Sequence, residues 1–175
     1  VLLSSVTANN SATVDIETGI DSTYDEYIML ISGLRCQTDR RDLSCRMKID
    51  GSYKSADYAH SFQGTTIAAS PTFSGSGNAG TGTEIILTGS GVWLVPFSSD
   101  SSADIRLTFS NPSDSSKKHF IKCDAYGYES SVIFRYGLGA GVYTGTAGAL
   151  TGLRFFMSGS RNIATGTFRL YGVKK

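Results

Sequence analysis

Large apolar residues recur in this chain at every second position or in short runs, and clusters of Gly, Ser, Asn and Asp interrupt them. In Phe168-Arg169-Leu170-Tyr171 the alternation places Phe168 and Leu170 on one face of an extended segment, Arg169 and Tyr171 on the other. No window keeps apolar residues at helical spacing long enough for a helix of ordinary length. A chain so patterned is confined to β architectures. The strands it predicts are 12–16, 27–31, 44–49, 58–62, 84–87, 92–95, 105–109, 120–125, 132–136, 152–157 and 166–171. Asp50-Gly51, Gly89-Ser90-Gly91, Asn111-Pro112-Ser113-Asp114, Gly139-Ala140-Gly141 and Ser158-Gly159-Ser160 offer cheap backbone reversals between them.

Many short strands separated by turns predict an all-β fold, an antiparallel β-sandwich of jelly-roll type. An immunoglobulin-like sandwich fits less well, because its Cys–Trp–Cys spacing cannot be built around the single Trp93. The 175 residues suit one domain, 1–175, with the Gly/Ser-rich stretch 64–83 as a long surface loop. Read instead as a linker, that stretch would leave too little chain on either side for a good core. Trp93, within Val92-Trp93-Leu94-Val95, is assigned to the core.

Composition excludes whole classes of function. Apolar residues make up 40% of the chain, enough for a sizeable core, so the chain is not disordered. The formal net charge of +1 excludes nucleic-acid binding driven by counterion release and docking on an acidic membrane by charge alone. No apolar run reaches the length of about 18 residues that a membrane-spanning helix needs. Val1-Leu2-Leu3-Ser4-Ser5-Val6 is too short, and lacks the basic lead, for a signal peptide. Val1 fits either a removed initiator Met in a cytosolic product or a trimmed chain.

Nor do the reactive residues assemble a recognised chemistry. Cys36, Cys45 and Cys123 form no zinc spacing and are read as reduced, apolar fillers; a Cys36–Cys45 bridge across a hairpin is the other reading. His60 and His119 are the only histidines, and no GxSxG accompanies them. His60 reads as a partly buried structural residue, and His119, beside Lys117 and Lys118, as a solvated one. Asp15, Glu17, Asp21, Asp25 and Glu26 crowd the first 26 residues without the spacing of a calcium loop, and read as solvated turn carboxylates. Gly137-Leu138-Gly139-Ala140-Gly141 lacks the Lys-Ser/Thr of a phosphate-binding loop and reads as turn glycine. No catalytic residue, metal ligand or cofactor is assigned.

The aromatic residues offer more. Tyr has an apolar face for stacking and a polar tip, which suits contact with sugars or proteins. Tyr53, Tyr58, Tyr126, Tyr128 and Tyr143, at likely loops and strand ends along with Tyr136, are the candidate surface contacts.

Two segments carry a resemblance. Gly19-Ile20-Asp21-Ser22-Thr23-Tyr24-Asp25-Glu26-Tyr27 is one; Leu153-Arg154-Phe155-Phe156-Met157 continuing through Asn162-Ile163-Ala164-Thr165-Gly166-Thr167-Phe168-Arg169-Leu170-Tyr171-Gly172-Val173 is the other. With Asn111-Pro112-Ser113 and the strand after it, they resemble a family of tailed-bacteriophage virion proteins that stand alone or end tail fibres. Residues 53–97 have no counterpart in that pattern. The resemblance implies a non-catalytic β-sandwich module in the virion, made in the host cytoplasm and homo-oligomeric, with a trimer favoured. A capsid decoration (cement) protein on the major capsid protein is the expected role. A tail-fibre or adhesin subunit, contacting tail proteins and a host-surface glycan or protein, is the alternative; an enzyme acting on surface polysaccharide is a third reading. Nucleic acid and membrane insertion are not expected.

Overall fold

In the computed structural model, which describes residues 1–38, 40–67, 72–89, 95–129 and 133–173, the alternating segments become strands that bury every second side chain. They are β1 (Leu2–Ser11), β2 (Val14–Ile16), β3 (Glu26–Cys36), β4 (Leu43–Ile49), β5 (Ser52–Tyr53), β6 (Tyr58–Ile67), β7 (Thr72–Gly82), β8 (Ile85–Ile86), β9 (Ser102–Ser110), β10 (Phe120–Glu129), β11 (Ile133–Tyr143), β12 (Leu150–Met157) and β13 (Ile163–Val173). The one helical element among the described residues is a 3-10 turn at Ser158–Ser160. Among the described residues no helix is long and apolar enough to cross a membrane.

The strands form two antiparallel sheets. The larger has the order β1-β13-β3-β9-β10-β11-β6-β7, and the smaller β2-β12-β4-β5, with β8 also paired to β4. Pairing is nested: β1 with β13, β2 with β12, then β3 between β13 and β9, and β4 between β12 and β8. Such nesting of β1-β13-β3-β9 over β2-β12-β4-β8 is the jelly roll, whose two sheets bury their facing sides against each other. Phe155 of β12 and Phe168 of β13 meet there, ring centroids 5.2 Å apart, within one core cluster that also holds Ile16, Met29, Met47 and Leu107.

Two hairpins widen the larger sheet beyond this framework. Strands β10 and β11 follow β9, and β6 and β7 are inserted between β5 and β8. The stretch 64–83 is therefore not a loop: most of it is the end of β6 and the whole of β7, while residues 68–71 lie outside the described residues. Small residues concealed the strand, since β7 reads TFSGSGNAGTG, with one face exposed and the other half-buried from Ser76 onward. Gly139-Ala140-Gly141 is not a turn either; it lies inside β11. Gly137, Gly139 and Gly141 face inward there and make room for Phe62 and Ile85. A Cβ on Gly137 would stand 2.2 Å from Cζ of Phe62.

The remaining sequence expectations divide. Asp50 (φ 49°) and Gly51 (φ 78°) make the expected turn, and both positive angles identify the type I′ hairpin form. Strand 92–95 and Trp93 fall largely outside the described residues. Cys36, Cys45 and Cys123 are free and buried, so no bridge joins Cys36 to Cys45. Desolvation holds all three thiols above their ordinary range. His119 is not solvated: it is buried, with Nε2 2.7 Å from the Gly148 carbonyl oxygen.

The glycine stripe under Phe62 gives a direct test. Gly137→Ala should lower unfolding free energy by about 1–3 kcal/mol through overpacking, as measured by urea denaturation. Phe62→Leu in that background should recover part of the loss, whereas in the wild-type chain it destabilises. Simple additivity of the two changes would show that Phe62 does not occupy this seat.

Candidate functional site

Outward-facing side chains of the widened sheet follow from the same alternation. On β10 the inward positions are Cys123, Ala125 and Gly127, and on β11 they are Gly137, Gly139 and Gly141; the large residues between them must point out. Tyr126 lies directly across from Tyr136, Tyr128 from Phe134, and Phe134 in turn from Ile67 of β6. Tyr136 stands across from Thr65, which stands across from Phe73 of β7. The result is a continuous apolar and aromatic patch. Tyr126, Tyr128, Phe134, Tyr136, Leu138 and Ile67 are each 40 to 49% exposed, and Phe73 is 78% exposed.

Cross-strand aromatic pairs stabilise a hairpin by roughly 0.2–1 kcal/mol each. Such pairing gives a reason for register neighbours to be aromatic but not for the uncovered outer surface. Contiguous exposed apolar surface of this kind marks an interaction site. Its border is polar: Asp104 of β9 accepts a hydrogen bond from the Gly33 N–H (2.8 Å), and its negative charge and hydrogen bond to the Tyr126 hydroxyl hold that phenol above its ordinary pKa. Beyond Asp104 the outer face is charged, with Glu26, Arg106, Lys122 and Asp124 lining one depression.

The sequence candidates separate into three places. Tyr126 and Tyr128 are in the patch. Tyr58 and Tyr143 are corrections: both are buried, 5.5 Å apart in the core, and so cannot contact a partner. The Tyr58 hydroxyl accepts the Met47 N–H (2.8 Å) and donates to the Lys54 carbonyl (3.2 Å), a use of the polar tip that surface exposure would forfeit. Phe134, Leu138, Ile67 and Phe73 were missed as site residues. The signal was present in β11, where large residues alternate with glycine, for the glycine face is the one pressed against the other layer.

Tyr53 belongs to a different surface, the outer face of the smaller sheet. Its ring is covered by the Arg154 guanidinium, 4.1 Å from the centroid, with Lys48 Nζ at 5.5 Å, so that face is already occupied. Arg154 is held by a bidentate pair to Asp15 (2.8 and 2.6 Å), and Lys48 by Glu17 (2.7 Å), which also accepts from the Tyr53 hydroxyl (3.1 Å). Asp15 and Glu17 are thus not free turn carboxylates but half of an ion-pair network. Asp21 accepts the Thr23 N–H and remains apart from it. Among the described residues no group of three or more His, Cys, Asp or Glu is placed to hold a metal ion.

Hydrogen bonds from Lys48 and then Tyr53 hold the Glu17 carboxyl below the ordinary carboxylate range. A pKa depressed by folding adds stability that is complete above the unfolded value and is lost as pH falls through the folded one. Glu17→Gln should therefore flatten part of the decline in melting temperature below about pH 4.3, with little change at neutral pH because the pair is exposed. Unchanged acid sensitivity in a thermal melt series would show that the network is not formed in solution.

No protein-family model matches this sequence, and no curated protein matches it.

Proposed function

We propose that this chain is a non-enzymatic structural protein of a tailed-bacteriophage virion, a capsid decoration (cement) protein that assembles with copies of itself and with the shell. The exposed apolar patch on β10, β11, β6 and β7 is the observation that carries this reading. A net charge of +1 leaves little long-range attraction to recruit a partner, so attachment must come from shape and apolar burial, and the patch supplies that surface. Its rigid placement on a sheet, rather than on loops, suits a contact repeated many times over a particle. The resemblance of both ends of the chain to virion proteins points the same way.

A tail-fibre or adhesin subunit that binds host-surface glycan is the second reading. It draws on Tyr126 beside Asp104, since an aromatic platform next to a carboxylate is a common way to hold a sugar.

Purified particles of the virus that encodes the chain provide the test. The chain is expected in them at a fixed ratio to the shell protein, and a low-resolution map should place its mass on the shell. Tyr126→Ser combined with Tyr136→Ser should weaken rebinding to particles stripped of the chain by about tenfold or more, measured by co-sedimentation. A glycan array should show no saturable affinity. Absence of the chain from purified particles would sink the proposal, and mass on the tail with saturable sugar binding would replace it with the second reading.

A further inference from the structure

We infer that copies of this chain associate head to tail, with the free edge of β7 in one copy pairing antiparallel to the free edge of β1 in the next. The larger sheet would then run on from copy to copy. Its two edge strands carry no charge or proline, and their pairing registers shift only near one end, at Leu2/Ser4 of β1 and opposite Tyr58/Ala59 in β7. Among the described residues β1 pairs with β13 and β7 with β6, and each has no strand on its other side; near their C-terminal ends Ser11 Oγ accepts the Asn9 N–H, and Asn78 Oδ1 accepts the Gly80 and Thr81 N–H groups. Neither LLSSVTANNS nor TFSGSGNAGTG contains a Lys, Arg, Asp, Glu or Pro, the residues that usually protect a strand edge. The smaller sheet shows the contrast, for its outer strands β2, β5 and β8 have only 3, 2 and 2 residues. Short edges give another strand little to pair with. Among the described residues the long, uncharged edges occur on the larger sheet.

Strand polarity selects the partner. The larger sheet has eight strands and every pairing in it is antiparallel, so β1 and β7 run in opposite directions. A second copy in the same orientation, placed beside β7, therefore presents its β1 antiparallel to it and keeps inner and outer faces aligned. The two strands match in length. Exposed Gly75, Gly77 and Ala79 on β7 carry little side chain to obstruct close approach. A two-fold contact of β7 with β7 would also be antiparallel, but it leaves both β1 edges bare. The head-to-tail contact covers both edges with a single interface, which closes into a ring if its rotation permits and otherwise continues.

This inference rests on the assembling role proposed above, yet it fails separately, because self-association is read on the purified chain without particles. Two variants divide the interface. Thr7→Lys with Asn9→Lys charges the β1 edge, and Thr72→Lys with Ser74→Lys charges the β7 edge; all four side chains are exposed. Native mass spectrometry and sedimentation should show the wild-type chain associating as concentration rises to about 1 mM. Each variant alone should be monomeric. Mixed in equal amounts, they should form a one-to-one dimer and nothing larger, since each retains the edge the other lacks; capture of a partner also shows that both variants are folded. A monomeric wild-type chain overturns the inference, as does a mixture that stays monomeric. Undiminished association of the β1 variant would overturn it in favour of the β7 two-fold contact. Loss of particle binding with head-to-tail association intact would remove the shell role and leave the inference standing.

Discussion

β13 lies between β1 and β3, and without it the larger sheet separates into the first strand and the rest. Its Phe168 and Leu170 enter the space between the sheets, where Phe168 meets Phe155 of β12, so the last strand joins both layers. Around it the early chain closes in. A Cβ on Gly172 would meet the Tyr24 ring at 2.4 Å, and Tyr24 stands edge-on to Tyr27, which stacks on Phe109 at 5.3 Å. The Tyr27 hydroxyl donates to the Asp21 carbonyl at 2.8 Å. The two end segments, 19–27 and 153–173, are therefore one packed unit in space. Val6 stands opposite Phe168, so nearly the whole chain separates the partners. Contacts of such long sequence separation require costly loop closure before they return any stability, which makes slow folding the expectation for this topology.

Strands with one face in the core were legible from the sequence because burial imposes the alternation that pattern reading detects. β9, β12 and β13 are of this kind: their inward residues are Ile105, Leu107 and Phe109, then Leu153 and Phe155, then Phe168 and Leu170. β1 and β7 were not legible, and the reason is the same in both. An edge strand buries few side chains, so Ser, Thr, Asn and Gly satisfy it, and those residues also populate loops. β11 was read only at its start for a different reason: its inward face is glycine, so the large residues that signal a strand are on the wrong side for a core. Tyr58 and Tyr143 misled in the opposite sense. Each is a polar-tipped ring, and nothing local distinguishes a tyrosine whose hydroxyl ends on a backbone amide from one whose hydroxyl ends in water.

The parts of the chain that resist pattern reading are also those that add to the jelly roll. The stretch 53–97 holds β6 and β7, and the β10–β11 hairpin extends the same side of the sheet. A widened sheet has an inner face to cover with little of the smaller sheet opposite it. Here Phe62 covers Gly137 and Gly139, and Ile85 covers Gly141. Moving bulk from the inner to the outer face is what leaves Tyr126, Tyr136 and Phe134 uncovered. The patch is thus a consequence of how the added hairpins are packed and not an ornament on an otherwise finished surface.

Charge explains why such a surface matters in this chain more than in most. A soluble protein tolerates exposed apolar area when net charge keeps its copies apart, and a net charge of +1 provides almost no such repulsion. The ion pairs of the smaller sheet do not help, because Arg154 with Asp15 and Lys48 with Glu17 cancel locally. Glu26, Arg106, Lys122 and Asp124 on the larger sheet likewise balance sign against sign. A neutral body with an apolar patch and two uncharged strand edges on the same sheet is poorly defended against contact with other proteins and with itself. The edges of the smaller sheet are short, whereas the larger sheet keeps two long uncharged ones beside its apolar patch. Cover by a defined partner removes the hazard and turns the same surfaces into the source of attachment.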